Sequence, residues 1–286
     1  MLFPLDDPSD PRLDDYRNVP DADLLEQRGV FVAEGRLVVR RLLTSSRFAA
    51  RSVLVTPPAY EALKDLLDAR DLPVLVVPQA LLNGITGFNI HRGCLAIGVR
   101  GAEPHWQGLS KQSPLVVVER VANADNIGAI FRNAAAFGAA GVLLERSCTD
   151  PLYRKAIRTS MGAALSVPFA RLEPWPDVLG ALRREGITLV GLTTGAVEPI
   201  DAVARALRGQ SVALLVGHEG DGLSEAAIAA CDHLARIPMA AGVDSLNVAT
   251  AAGIGLYEFK KGWNPDPPIP DPRSPIPDPR SLIPDP

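Results

Sequence analysis

The chain has 286 residues, of which 47% are hydrophobic, and a net charge of −4, values that suit one large or two ordinary globular domains and exclude global disorder. Acidic residues concentrate at the two ends: residues 1–23 carry seven aspartates against two arginines, and residues 264–286 carry four against two. The middle of the chain, at about +3, is therefore mildly basic, which permits a nucleic-acid partner.

Residues 1–23 are predicted to be an acidic extension, and residues 24–100 to form one small α/β unit. Helical periodicity in GRLVVRRLLTSS precedes a strand SVLVT, a helix PPAYEALKDLLDA, a strand PVLVV and a closing strand CLAIGVR. Residues 101–113 have the Gly, Pro and Ser content of a linker.

Residues 114–263 show a different pattern. PLVVVE, GVLLE, ITLVGLTT and SVALLVG are short, continuously apolar runs that alternate with helical stretches. This pattern predicts an α/β fold with a mostly parallel sheet covered on both faces. Ligands of such sheets bind beyond the carboxyl ends of the strands, so we expect the chemistry in the loops that follow these runs.

The two ends of the chain and the cysteines indicate the cellular compartment in which the protein works. The tail repeats IPDPRS from Ile269, and its alternating prolines predict an extended, unpacked segment over residues 264–286. The three cysteines, Cys94, Cys148 and Cys231, are too far apart for a metal-binding motif. The acidic N-terminus is unlike a secretory signal, and no apolar run reaches membrane-spanning length. We therefore expect a cytoplasmic protein with reduced cysteines, no metal and no membrane segment.

Three segments that follow predicted strands or lead into a helix carry polar residues. In ERVANADNIGAIFRNAAAFG, Asn126 could be only a helix N-cap and Arg132 a solvated charge. In LLVGHEGDGLSEAAI, Glu219 lies among three glycines, which permit close approach to a ligand or simply a tight turn. In IPMAAGVDSLNVATAAGIGLYEF, a helix built of small residues follows Ser245 and Asn247, as expected where helix and neighbouring backbone pack closely.

Taken in this order, the three segments resemble the SpoU (TrmH) family of RNA ribose 2′-O-methyltransferases over about residues 114–259. The first family motif is matched by Asn126-Ile127-Gly128 with Arg132, the second by Val216 to Gly220 with Gly222-Leu223, and the third by Ile237-Pro238-Met239 with Ser245 to Val248. The resemblance implies a SPOUT methyltransferase domain tied into a deep trefoil knot, an exception to the rule that chains do not thread loops. FVAEGRLVVRRLL and ITGFNIHRGCLAI are similar to an L30e-like substrate-binding domain.

The resemblance also implies a cofactor and site residues. S-adenosylmethionine would be the methyl donor, held by Leu192, Thr193, Thr194, Gly217, Ile237, Met239, Leu246 and Asn247. Catalytic or ribose-holding roles fall to Asn126, Arg132, Glu219, Ser245 and Asn247. Arg132 would position the ribose and stabilise charge rather than act as a base, because a guanidinium stays protonated, and Glu219 would be its bidentate partner. RNA contacts are expected at Arg36, Arg40, Arg41, His91, Arg92, Arg154, Lys155, Arg158 and Ser160; for the YRKAIRTS run a solvated helix face is the alternative.

Three alternatives remain at this stage. A non-catalytic RNA-binding protein with the same fold would not need Asn126, Arg132 and Glu219 in register, and a base-modifying knotted enzyme is disfavoured by the Ser-Leu-Asn motif. Among ribose methyltransferases, the L30e-like domain favours 23S ribosomal RNA over tRNA as the substrate. Knotted methyltransferases of this type are usually homodimers, so the resemblance implies a homodimer with the site near the subunit interface.

Overall fold

Two sheets organise the chain in the computed structural model, which describes residues 1–17, 20–86, 93–109 and 114–263. The first sheet has five strands in the order β1-β4-β3-β5-β2, and the second has seven in the order β10-β12-β9-β11-β6-β7-β8. The predicted Pro-rich tail, residues 264–286, lies outside the described residues.

The first sheet is mixed, because β1 and β3 run parallel to β4 while β5 runs antiparallel to β2 and β3. Its elements are β1 (Leu2–Pro4), α1 (Asp21–Arg28), β2 (Val30–Glu34), α2 (Arg36–Leu43), β3 (Ala50–Val55), α3 (Pro57–Glu61), α4 (Lys64–Leu67), β4 (Val74–Val76), α5 (Gln79–Thr86) and β5 (Cys94–Val99). The helix predicted after Thr56 is broken into α3 and α4. The likeness of this unit to an L30e domain stays a prediction.

The acidic N-terminal residues are part of this first sheet rather than an appendage, which corrects the predicted extension. β1 adds an edge strand to β4, and the short 3-10 helix Pro11–Tyr16 buries Leu13 and Tyr16 against the sheet. Tyr16 also shares a hydrogen bond of 2.7 Å with the Ser52 hydroxyl. Aspartates between these apolar anchors remain at the surface, so composition alone suggested a separate segment.

The second sheet is parallel throughout, as the buried apolar runs predicted. Its elements are β6 (Leu115–Val118), α6 (Ala124–Phe137), β7 (Gly141–Glu145), α7 (Arg154–Thr159), β8 (Phe169–Leu172), α8 (Asp177–Arg184), β9 (Thr188–Leu192), β10 (Glu198–Pro199), α9 (Ile200–Ala206), β11 (Val212–Val216), α10 (Glu225–Ala230), β12 (His233–Arg236) and α11 (Val248–Trp263). β11, late in the chain, lies between β9 and β6. The trefoil knot stays a prediction.

The two units share a packed boundary. The described part of the predicted linker buries Trp106 in the second core, and Arg100 pairs with the buried Asp150 at 2.8 Å. Arg47 donates to the Val167 carbonyl and lies over the Phe169 ring, 5.0 Å from its centroid. None of the helices in the described ranges combines the length and apolar character needed to cross a lipid bilayer.

Candidate active site

A cavity of about 220 Å³ opens where β9, β11 and β12 end. Parallel strands expose their carboxyl ends at one edge of a sheet, which is where such folds bind ligands. Seven of the eight residues predicted to hold the cofactor line this cavity: Leu192, Thr193, Thr194, Gly217, Ile237, Met239 and Leu246. Glu219 and Ser245 line it as well.

Gly217 is required by the shape of this wall. A Cβ atom built there would lie 2.4 Å from the carbonyl carbon and oxygen of Gly222, because the loop folds back directly onto the strand end. His218 and Gly222 close the loop with reciprocal backbone hydrogen bonds of 3.1 and 3.0 Å. The absence of a side chain at Gly217 therefore lets the loop fold back tightly onto the end of β11 at the wall of the cavity.

A chain of hydrogen bonds joins the three sequence segments at the rim of the cavity. The Asn247 amide donates to Asn126 Oδ1 at 2.8 Å, and the Asn126 amide donates to Glu219 Oε1 at 2.5 Å. Asn247 Oδ1 meanwhile accepts from the backbone N–H groups of Ala249 and Thr250, at the start of α11. Asn126 thus lies between the other two, with its donor directed to the carboxylate.

The N-cap of α6 is Asn123, whose side chain accepts from the Asp125 N–H at 2.8 Å. Asn126 lies inside the helix, so the alternative in which it serves only as an N-cap is wrong. The same first turn places Gly128 against α7, where a Cβ atom would lie 2.6 Å from the Ala156 carbonyl oxygen. Close packing at Gly128 holds the start of α6 and Asn126 beside the cavity loop.

Arg132 does not pair with Glu219, which corrects that prediction. Six residues along a helix correspond to about 9 Å of rise and about 120° of rotation, so Arg132 points away from the direction taken by Asn126. Arg132 is exposed, and it has no hydrogen-bond or ion-pair partner within the described part of the chain. Asn126 takes the place at Glu219 that had been assigned to the arginine.

The small residues of α11 are explained by what the helix packs against. A Cβ atom at Gly255 would lie 2.5 Å from Leu214 Cδ2 in β11, and one at Gly253 would lie 2.8 Å from Asn133 Nδ2 in α6. Ala249 and Ala252 are buried in the same core. The Asn133 amide also donates to the Ala249 carbonyl at 2.7 Å. α11 therefore lies directly between the central strand and α6.

The residues predicted to bind RNA have different environments. Arg36 and Arg41 of α2 and Arg158 of α7 are exposed, and Arg41 lies against Gly162, which follows α7. Arg40 pairs with Asp65 at 3.1 Å, and the Arg154 N–H donates to Asp21. His91 and Arg92 lie outside the described residues.

Lys155 and Ser160 are engaged within the protein. The Lys155 ammonium and the Thr159 hydroxyl donate to Asp125, and these hydrogen bonds lower the pKa of that carboxyl group. Ser160 is fully buried, with its hydroxyl donating to the Ile157 carbonyl at 2.9 Å. The prediction that Ser160 contacts RNA is therefore wrong: its hydroxyl holds the turn after α7.

His218, in the cavity loop, was not among the site residues predicted from the sequence. His218 Nδ1 accepts from the backbone N–H groups of Gly220 at 3.0 Å and Asp221 at 3.2 Å. These two hydrogen bonds tie the imidazole ring to the backbone of the loop that follows it. The acceptor lies two and three residues before its donors, which is the spacing of a local turn. The glycines on both sides of His218 could have suggested such a turn.

Comparison with known proteins agrees with this geometry. Residues 113–257 match the SpoU rRNA Methylase family. The chain is 41% identical over 259 residues to an uncharacterized tRNA/rRNA methyltransferase of Mycobacterium bovis, covering 88% of this chain and 89% of that protein. It is 36% identical over 148 residues to the 23S rRNA (guanosine-2′-O-)-methyltransferase RlmB of Vibrio cholerae, covering 52% of this chain and 59% of that protein.

Solved structures extend the similarity to nearly the whole chain. The AdoMet-bound rRNA methyltransferase of Sinorhizobium meliloti superposes with a TM-score of 0.79 at 27% identity, covering 91% of this chain and 98% of that one. The SpoU methyltransferase AviRb of Streptomyces viridochromogenes, in complex with AdoMet, gives 0.77 at 25% identity, covering 88% and 98%. Family match, relatives and fold agree, and the chain belongs to the SpoU rRNA methylase family of RNA methyltransferases.

Proposed function

We propose that this protein transfers the methyl group of S-adenosylmethionine to a ribose 2′-hydroxyl of RNA, with 23S ribosomal RNA as the substrate. The observation that carries the proposal is the hydrogen-bonded chain from Asn247 through Asn126 to Glu219, at the rim of a cavity lined by the predicted cofactor residues. A binding protein without turnover has no need for polar side chains joined in this way beside such a cavity.

The cavity suits an adenosine-bearing cofactor. Leu192, Ile237 and Leu246 supply apolar surface for a base, and the Gly217 wall supplies backbone groups that can form hydrogen bonds. Solved relatives of the family carry AdoMet. When bound, S-adenosylmethionine supplies a methyl group already activated as a sulfonium, so the protein has to orient and deprotonate the acceptor.

The polar chain orients the acceptor. Glu219 fixes the direction of the Asn126 amide, and Asn126 fixes that of Asn247, so all three side chains are held before RNA binds. Ser245, on the same cavity wall, is available to the ribose. We assign Arg132 the stabilisation of negative charge that develops as the hydroxyl loses its proton, because its guanidinium stays charged.

The position of Arg132 supports a homodimer. Its guanidinium is exposed on α6, about a third of a turn around the helix from Asn126. Tyr257 of α11 is also half exposed, and its ring lies 5.8 Å from that of Phe137 on α6. We propose that α6 and α11 pack against a second copy, so that Arg132 completes the site of its partner.

Mixing variants tests this arrangement. Arg132→Ala and Glu219→Ala homodimers are each expected to lose most of their methyl transfer, whereas a mixed dimer contains one site with both residues intact. Partial recovery of methyl transfer after joint refolding, together with a dimeric mass by light scattering, supports the shared site. A monomeric protein, or no recovery in mixed dimers, contradicts it.

RNA recognition is proposed to use the exposed Arg36 and Arg41 of the first unit and Arg158 of the second, together with His91 and Arg92. Such side chains contact phosphates and position the RNA without reading its sequence. We propose that the enzyme acts in the cytoplasm, together with this RNA substrate. RlmB of Vibrio cholerae modifies 23S rRNA, and for that reason we prefer ribosomal RNA to tRNA.

The reaction can be tested directly. Purified protein is incubated with labelled S-adenosylmethionine and with separated ribosomal RNA and tRNA from a bacterium, and the product is digested to nucleosides. A 2′-O-methylnucleoside in the ribosomal fraction is expected. Label in tRNA alone would reassign the substrate, a methylated base would reassign the chemistry, and the absence of transfer with intact cofactor binding would favour an RNA-binding role.

A further inference from the structure

The loop that forms the cavity wall, residues 217–224, has no regular secondary structure of its own. It runs from the end of β11 at Val216 to the start of α10 at Glu225 and contains Gly217, Gly220 and Gly222. Glycine-rich backbone has many accessible conformations. The hydrogen bonds between His218 and Gly222 hold the turn itself, so the position of this turn at the cavity depends on how the rest of the protein holds the two ends of the loop.

Glu119 holds both ends of this loop. Its backbone N–H donates to the Val216 carbonyl at 2.9 Å, where the loop begins. Its carboxylate Oε2 accepts from the Ser224 N–H at 2.8 Å, where the loop ends. Ser224 is in turn the N-cap of α10, since its hydroxyl accepts from the Ala227 N–H. One residue, directly after β6, therefore fixes the entry and the exit of the cavity wall.

The Glu119 carboxylate is deeply buried, with 1% of the residue exposed. Its second oxygen, Oε1, accepts from the indole Nε1–H of Trp175 at 2.9 Å. The two oxygens thus face two separate donors, of which one belongs to the loop and the other does not. Buried polar groups need such partners because an unpaired one is costly.

The next residue holds the middle of the loop. The Arg120 guanidinium donates to the Gly222 carbonyl at 3.3 Å and lies 3.7 Å from the Asp221 carboxylate. Arg120 has a φ of 53°, in the left-handed region that residues with side chains rarely adopt. Its own N–H donates to Glu145 at 3.3 Å. Residues 119 and 120 together contact the start, the middle and the end of the cavity wall.

We propose that Glu119 is a positioning residue that keeps loop 217–224 in its cofactor-binding conformation. It lies behind the wall and acts on the cofactor only through the loop. The inference rests on the proposed function, in which this wall holds S-adenosylmethionine. When an anchor is lost, the binding-competent loop is populated for a smaller fraction of the time, and the observed dissociation constant rises by the inverse of that fraction.

Two variants separate this role from general stability. Glu119→Gln keeps the shape of the side chain but sets an amide donor against one of the two N–H donors. Trp175→Phe leaves the same carboxylate unpaired on the side away from the loop. Both variants are expected to unfold at a lower temperature. Ser224→Pro gives a second route to the same bond, because φ at Ser224 is −65° and proline removes the N–H; Ser224→Ala, which loses only the capping hydroxyl, is its control.

The measurements are the dissociation constant of S-adenosylmethionine by titration calorimetry and hydrogen exchange of peptides covering residues 217–224 in the cofactor-free protein. Glu119→Gln and Ser224→Pro are expected to bind roughly tenfold more weakly and to exchange roughly tenfold faster in this loop. Trp175→Phe is expected to change both quantities less than twofold. Equal effects of Ser224→Pro and Ser224→Ala, or unchanged loop exchange in both Glu119→Gln and Ser224→Pro, overturn the proposal.

The two readouts keep this inference distinct from the proposed function. Hydrogen exchange reports on the loop without any ligand. Faster loop exchange in Glu119→Gln, combined with no binding of S-adenosylmethionine even by the wild-type protein, supports the anchoring role of Glu119 and refutes the cofactor assignment. Normal binding of S-adenosylmethionine by the wild-type protein, combined with unaltered loop exchange in both Glu119→Gln and Ser224→Pro, supports the cofactor assignment and refutes the anchoring role of Glu119.

Discussion

Replacing Asn126 with Asp isolates the donor that Asn126 offers to Glu219. The variant keeps the size of the side chain and the oxygen that accepts from Asn247, but it replaces the amide donor 2.5 Å from Glu219 Oε1 with a second carboxylate oxygen. A hydrogen bond to a charged group contributes about 1.5–3 kcal/mol. At about 1.4 kcal/mol for each factor of ten, Asn126→Asp should slow methyl transfer by roughly 10- to 150-fold.

Repulsion between the two carboxylates adds to this loss, although solvent at the exposed rim screens it. Protonation of either carboxyl group restores an O–H donor between them. The activity of Asn126→Asp relative to the wild-type enzyme should therefore rise as the pH is lowered. Single-turnover transfer with saturating S-adenosylmethionine, measured across pH, checks both expectations.

Asn123→Asp is the matched control. Asn123 begins the same helix, but its side chain only accepts, from the Asp125 N–H, and aspartate caps a helix as well as asparagine does. The control should keep at least half of the wild-type rate. The reasoning is refuted if Asn126→Asp also stays within threefold of the wild-type rate, or if both variants fall together.

Other expectations concern charge, packing and thiol chemistry. Arg132→Ala should abolish methyl transfer while the calorimetric dissociation constant of S-adenosylmethionine stays within twofold; loss of both would place Arg132 in cofactor binding. Gly255→Ala should lower the free energy of unfolding by about 1–3 kcal/mol, because the new Cβ atom would lie 2.5 Å from Leu214 Cδ2. The melting temperature should fall by about 3–10 °C. Gly84→Ala, with open space around it in α5, is the control and should not lower the melting temperature. Burial raises the pKa of Cys148 to about 11, so this thiol should react slowly with a disulfide reagent at pH 8 until guanidinium chloride unfolds the chain; fast labelling in the native protein would contradict the packing.

The sequence predicted the four neighbouring strands β9, β11, β6 and β7 of the second sheet, because each is a continuously apolar run of four or five residues set between helices; β8 and β12 were not among the predicted strands. β1 and β10 have three and two residues, too few for any period to be recognised, and they lie at sheet edges. Because β1 is too short to be recognised, only the aspartates of the N-terminal segment were conspicuous, and they suggested an extension. Leu13 and Tyr16 in fact anchor that segment in a core.

The site was predictable as a set of residues but not as a set of bonds. Three polar segments could be expected to meet because parallel strands end at one edge. Which side chain reaches Glu219 depends on the rotation of α6, and that rotation is set by packing at Gly128 against α7, which no local pattern reveals. Glu119 was missed because it ends a buried strand and its two partners, Trp175 and Ser224, are 56 and 105 residues away.

The place of β11 in the sheet has a consequence for synthesis on the ribosome. β6, β7 and β8 form one run of neighbours and β9, β12 and β10 another, and β11 is the strand that pairs with both. A nascent chain that has not yet reached residue 212 therefore holds β6, β7 and β8 as one half-sheet with an unpaired edge, and it holds β9 and β10 without their neighbours, because β12 is made after β11. Such edges are prone to association with other chains. Because Gly217 follows β11 and Ile237 follows β12, the wall of the proposed cofactor cavity is complete only after both of these late strands have been made.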